Sequence, residues 1–257
     1  MRPAKFPYLE SKGLLAFAHR GGANVHPENT MPAFEHAISL GYRYIETDVH
    51  ATKDGVLLAF HDDRLDRVTD KTGIIAEMTY DEVRGAKVEG KEPIPLMADL
   101  LTAFPTAKIN IDPKADNAVE PLIKVLKAAK STERVGIGSF SDARLAAMRA
   151  ALGPGLCTSM GPIAATRLRL GSFLGPLKGL LGGFAAGCAQ LPVHQSGLRL
   201  IDRRMVDHAH ELGLQIHVWT IDEPAEMHRL IDMGVDGLMT DEPEVLKSVL
   251  EARGLWE

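Results

Sequence analysis

Eight short apolar runs set the main constraint on how this chain can fold. They lie at residues 14–19, 42–50, 108–112, 135–140, 156–160, 188–193, 215–220 and 237–240, and helix-like segments separate most of them. Strands joined through helical crossovers pair in parallel, and parallel strands need both faces covered. Two architectures satisfy this: a closed (β/α)8 barrel and an open doubly wound sheet. The chain's 257 residues suit a single barrel. The open sheet would be marked by a glycine-rich phosphate loop after the first run, but His19-Arg20-Gly21-Gly22 does not have the G-x-G-x-x-G spacing. The expected fold is therefore α/β, a single (β/α)8 TIM barrel forming one domain over 1–257, with its core at about 14–252. An additional run at 56–60 should pair beside the second run or extend it.

The segments between runs have helix punctuation. Pro32 fits only a first helical turn, with Asn29 or Thr30 as its cap, and Phe34, Ala37 and Ile38 then share a face. Residues 117–130, 142–152, 202–212, 223–233 and 244–252 repeat the 3.6-residue period. Leu40-Gly41, Leu212-Gly213 and Met233-Gly234 should each close a helix ahead of a run.

Composition excludes some functions. A net charge of −5 argues against nucleic acid as a partner. No run of 18 apolar residues occurs, and the first twenty residues lack a continuous hydrophobic stretch with a cleavage site. The two cysteines, Cys157 and Cys188, lie in apolar surroundings and read as buried thiols, so a cytoplasmic protein is expected.

Candidate chemistry concentrates between Ala18 and Asp62. Strand side chains alternate, so Glu46 and Asp48 share one face while Ile45, Thr47 and Val49 share the other. Helices cover the outside of a barrel, which sends the apolar set outward and the carboxylates to the C-terminal mouth. Asp112 and Lys114 repeat the device at the end of the third run. Three converging carboxylates repel one another unless protonated or bridged by a cation. Their all-oxygen donor set suits Mg2+ or Ca2+ rather than zinc. A solvated strand end paired to arginines is the alternative from spacing alone.

His19 and His61 each follow an apolar run and could act as base and acid on a bound phosphate. Arg20 and Lys114 would supply fixed positive charge, and Trp219 could floor a substrate pocket. Of the ten histidines, His36, His208, His210 and His228 are set aside as helical, while His26, His50, His194 and His217 remain weaker candidates.

These residues carry a resemblance. The chain resembles the glycerophosphodiester phosphodiesterases, a family of (β/α)8 barrels. Its motifs match His19-Arg20-Gly21, Pro27-Glu28-Asn29-Thr30, Glu46-Thr47-Asp48, Thr52-Lys53-Asp54-Gly55 and His61-Asp62. Later segments match too, among them Ser139-Phe140, Val218-Trp219-Thr220 and 237–243. The resemblance implies that Glu46 and Asp48 bind a divalent metal, that His19 and His61 are the acid–base pair, and that Arg20 and Lys114 contact phosphate. Asp112 takes the place of a family Glu in Asp112-Pro113-Lys114, and Asp222 stands where Asn is common.

The expected reaction is metal-dependent hydrolysis of a glycerophosphodiester to glycerol 3-phosphate and an alcohol, with His61 favoured as acid and His19 as base. Two alternatives stand beside it. Between Asp142 and Asp202 there is no acidic residue, and the apolar, basic segment 162–187 could rest on an anionic membrane and admit lysophospholipids. A leucine-rich helix packed on the barrel would explain the same residues. The last alternative is a barrel that binds phosphodiesters without cleaving them.

Overall fold

The computed structural model describes residues 4–174 and 183–257. Each of the eight expected runs contains a strand: β1 (Leu15–Ala18), β2 (Tyr44–Ala51), β3 (Lys108–Pro113), β4 (Val135–Ile137), β5 (Cys157–Thr158), β6 (Cys188–Pro192), β7 (Gln215–Trp219) and β8 (Gly237–Thr240). They form one continuous parallel sheet in barrel order, with β8 returning to pair with β1. The seam between β5 and β6 is closed by a single parallel bridge, Ser159 to Cys188, where Met160 N–H donates to the Cys188 carbonyl at 2.9 Å. The run at 56–60 forms a strand, Leu57–Ala59, that pairs antiparallel with the end of β2.

Helices follow the strands: α1 (Met31–Ser39), α2 (Met97–Ala103), α3 (Val119–Ala128), α4 (Asp142–Leu152), α5 (Pro162–Gly171), α6 (Arg203–Glu211), α7 (Pro224–Met233) and α8 (Pro243–Ala252). Thr30 is the N-cap of α1, with Pro32 in its first turn. The Asp202 carboxylate caps α6 by accepting from Met205 N–H at 2.9 Å. Gly41, Gly213 and Gly234 all take positive φ just past a helix, as the Leu-Gly and Met-Gly pairs predict.

Strand alternation divides the interior as the pattern requires. Ile45, Val49, Ile109 and Ile111 face outward into the layer between strands and helices, which holds most of the core. The lower barrel is plugged by the N-terminus. Phe6, Tyr8 and Leu9 pack against Phe17, Tyr44, Cys157 and Cys188, and both cysteines are free and buried. Lys108 fastens this plug by donating to the carbonyls of Pro7, Tyr8 and Glu10.

The long connection between β2 and α2 builds a small core of its own from Leu58, Phe60, Leu65, Ile75, Val83 and Val88. No period in the sequence signals this unit, because its residues sit in turns, a short helix and a two-stranded ladder. It carries His61, Asp62 and Arg67. Among the described residues, no helix is long and apolar enough to cross a membrane.

Candidate active site

All eight sequence-predicted site residues, His19, Arg20, Glu46, Asp48, His61, Asp112, Lys114 and Trp219, line one cavity of about 760 Å3 at the C-terminal mouth. The β2–β3 register explains the carboxylate cluster. Asp48 is the cross-strand partner of Asp112, and Glu46 that of Asn110, so both pairs point into the barrel.

Glu46 and Asp48 are almost fully buried, and each is held by neighbours. The Glu46 carboxylate accepts from Arg20 N–H at 3.1 Å. Asp48 accepts from Asn29 Nδ2 at 3.3 Å and pairs with Arg20 Nε at 3.4 Å. Lys114 Nζ sits between the two aspartates, 2.7 Å from Asp48 and 3.0 Å from Asp112.

The ionisation pattern follows from this packing. Burial, with Asp48 alongside, pushes the Glu46 carboxyl up to about 7. Burial also raises Asp112, against the pull of Lys114. In Asp48 burial acts in the same direction, but Lys114, His61 and Arg20 outweigh it and hold the carboxyl below its usual range. The Lys114 ammonium is correspondingly stabilised: burial opposes its charge and the two aspartates more than compensate.

Each histidine is oriented by a carboxylate. His19 Nδ1 lies 2.8 Å from Asp241 Oδ1, which leaves Nε2 facing Glu46 at 3.9 Å. Burial alone would lower the His19 pKa, but Glu46 and Asp241 reverse the sign and raise it. His61 Nδ1 lies 2.6 Å from Asp62 Oδ1. Asp62 in turn accepts from Arg67, which drives its carboxyl down to about 2. Arg67 also donates to Glu28, and Glu28 accepts from Arg20, so the two histidine-bearing loops are tied together. His50 donates from Nε2 to the His61 carbonyl at 3.0 Å.

Asp241 and the orienting roles of Asp62 and His50 were not identified from the sequence. Asp241 lies in the matched 237–243 segment, yet only folding brings β8 beside β1. Asp222 accepts from Thr240 Oγ1 at 2.9 Å and from Asp241 N–H at 2.8 Å, thereby fixing the loop that holds His19. The remaining weak candidates fall elsewhere. His217 is buried against Phe17 inside the barrel, His26 rests on His36, and His194 is exposed on a short hairpin.

The donor chemistry suits a hard cation. Glu46, Asp48 and Asp112 offer only oxygens, and the buried Asp112 Oδ1 has no hydrogen-bond partner. Among the described residues no three His, Cys, Asp or Glu side chains are gathered in ligating geometry, and the Lys114 ammonium supplies the positive charge between the aspartates. The other side of the cavity is predominantly apolar, with Met160, Leu170, Leu191, Leu198 and Trp219 beside Arg169 and Gln195, and Phe140 packed edge-on against Trp219.

The sequence model of the glycerophosphoryl diester phosphodiesterase family matches residues 19–154 and 181–245. This chain belongs to that family. It is therefore an enzyme of the phosphoric diester hydrolase class. A Mycobacterium tuberculosis protein named "Probable glycerophosphodiester phosphodiesterase 2" is 40% identical over 255 residues, covering 97% of this chain and 96% of that protein. A lysophospholipase D of Homo sapiens is 30% identical over 267 residues, covering 91% of this chain and 85% of that protein. A crystal structure from Silicibacter pomeroyi superposes with a TM-score of 0.81 at 25% identity, covering 98% of this chain and 100% of that one. A phosphodiesterase from Oleispira antarctica, solved with the product sn-glycerol-3-phosphate, shares the fold with a TM-score of 0.75 at 21% identity, covering 93% and 97% respectively. The (β/α)8 barrel expected from the eight apolar runs is thus the family fold.

Proposed function

We propose that this enzyme hydrolyses glycerophosphodiesters to glycerol 3-phosphate and an alcohol, with Glu46, Asp48 and Asp112 holding a divalent cation, Mg2+ or Ca2+. The observation that carries the reading is the pair of carboxylate-oriented histidines, His19 and His61, on either side of a buried carboxylate cluster. When bound, the cation would polarise the phosphoryl oxygens and offset developing negative charge. Arg20 and Lys114 would add fixed positive charge at the same phosphate.

Each histidine donates Nδ1–H to an aspartate and leaves Nε2 available. One can take the proton of the attacking oxygen while the other gives a proton to the departing alkoxide. The two dyads are equivalent in this respect, so the geometry is compatible with either order of base and acid. Supporting the glycerophosphodiester reading are the relative named for that activity and the related barrel solved with sn-glycerol-3-phosphate.

The test is release of glycerol 3-phosphate from glycerophosphocholine, with Mg2+ and Ca2+ assayed in parallel. Chelation should abolish turnover. His19→Ala and His61→Ala should each lower kcat by at least ~10² while leaving the melting temperature near that of the parent. Near-parental activity in both variants would remove the histidines from the chemistry, leaving a barrel that binds phosphodiesters without cleaving them.

A second reading has its own observation. The apolar wall offers contacts that a glycerol phosphate, with its hydroxyls, cannot use but an acyl chain can. A relative named lysophospholipase D supports it. Choline release from lysophosphatidylcholine, compared with that from glycerophosphocholine, separates the two substrate classes.

A further inference from the structure

The exposed apolar side chains of this enzyme are not scattered. Among the described residues, the large exposed hydrophobics are Val25, Phe140, Ile163, Leu170, Phe173, Leu174 and Leu198. All of them except Val25 lie in the connections after β4, β5 and β6. Several are strongly exposed: Leu198 by 68%, Ile163 by 66% and Phe140 by 59%. Isolated exposed apolar residues need no explanation, but a set gathered on one side of a cavity mouth does.

Charge on that side is weighted towards the positive, with Asp142 accepting from Ile163 N–H at 3.1 Å and Asp202 pairing with Arg169 at 2.7 Å at its two ends. No acidic residue occurs between Asp142 and Asp202, although the chain as a whole carries −5. Phe173 lies against two guanidinium groups, Arg169 at 4.6 Å and Arg204 at 5.1 Å. An aromatic ring between two arginines, one of them paired with Asp202, beside exposed aliphatic side chains, suits the boundary between lipid headgroups and acyl chains. On the opposite side of the mouth, Asp62, Asp63, Asp66, Arg64 and Arg67 line a polar recess. The two sides therefore differ, and only one is built for an apolar phase.

Leu170 and Leu198 belong to both surfaces. Each is exposed at the rim and also lines the cavity, so the cavity's apolar wall is continuous with the apolar rim. We propose that this side of the mouth, built by Phe140, Ile163, Leu170, Phe173, Leu174 and Leu198, docks on an anionic phospholipid bilayer with the cavity opening towards it. Leu177, Lys178, Leu180 and Leu181 of the expected membrane-facing segment lie outside the described residues.

Binding is measured without turnover, so it stands or falls separately from the proposed reaction. The purified enzyme is sedimented with phosphatidylcholine vesicles, with and without phosphatidylglycerol, at low and high salt. Binding should require phosphatidylglycerol and weaken as salt rises. The double variant Ile163→Glu/Leu174→Glu changes two rim residues outside the cavity lining. It should bind at least about tenfold more weakly, with glycerophosphocholine turnover and melting temperature unchanged. Four results would overturn the proposal: no vesicle binding by the parent, equal binding to neutral vesicles, full binding by the double variant, or a solution dimer that the double variant splits. The last would assign the face to a second copy of the chain. Should the double variant fail to fold, the lipid and salt dependence of the parent decides.

Discussion

Replacing Lys114 by Met tests how the carboxylate cluster is held together. The ammonium lies within 3.0 Å of both Asp48 and Asp112, and Glu46 is buried beside them. Removing one member of a buried ion pair typically costs about 3–5 kcal/mol, because the partner charge is left uncompensated. Lys114 is 21% exposed, which places the expected loss near the lower end, about 3 kcal/mol. For a protein of this size that corresponds to about 6–12 °C in melting temperature.

The loss should depend on pH in a defined direction. Asp48 has a depressed pKa in the fold, so its contribution to stability is present above its unfolded pKa of ~3.9 and lost as pH falls through the folded value. Lys114 is the leading charge behind that depression. Glu46 and Asp112 have raised pKa values, so each costs stability as pH rises from its unfolded pKa to its folded one. Without the ammonium all three shift upward. The gap between variant and parent should therefore be smallest in acid, below the folded pKa of Asp48, and widen from there towards pH ~8. The assay is thermal unfolding across this range in chelator, repeated with saturating Mg2+ or Ca2+. A cation at about 100 times its Kd stabilises by about 2.7 kcal/mol, and the increment should be larger in the variant, where no ammonium competes for the aspartates. A variant melting within about 2 °C of the parent at pH ~8 would refute the reasoning, as would a gap that does not narrow in acid.

Three further outcomes follow from individual contacts. Asp241→Ala removes the carboxylate orienting His19 and should lower kcat by about 10-fold or more with little change in KM, since a charge-assisted hydrogen bond contributes ~1.5–3 kcal/mol; an unchanged kcat would show that the dyad is not used. Asp222→Asn should be nearly neutral in activity and within ~0.5 kcal/mol in stability, because one oxygen, Oδ1, accepts both of its hydrogen bonds and an amide oxygen can replace it; a tenfold fall in kcat would show that the negative charge itself is required. Gly136→Ala directs a methyl into the buried Tyr8 ring of the N-terminal plug and should cost ~1–3 kcal/mol in denaturant unfolding without altering KM; an unchanged midpoint would mean that the plug yields freely.

What was legible in the sequence was whatever depends on local period and residue type. The eight strands, most barrel helices and the inward direction of Glu46 and Asp48 follow from alternation and helical spacing, which act over a few residues. The chemical identities of His19, Arg20, His61, Asp112 and Lys114 were visible for the same reason, as polar residues ending apolar runs. The partners of those residues were not. Asp241 meets His19 only because β8 closes onto β1, and Asp62 is held to Arg67 and Glu28 only because a turn-rich connection packs a small core of its own. The alignment of Asp48 with Asp112 is a matter of register between strands more than fifty residues apart. Likewise, the sequence marked the 143–201 region as lacking acid, but its apolar side chains share one side of the mouth through the closure of the barrel. Local chemistry determined the residues capable of acting; long-range pairing, which no short window contains, decided their neighbours, their charge states and the side chains gathered around the mouth.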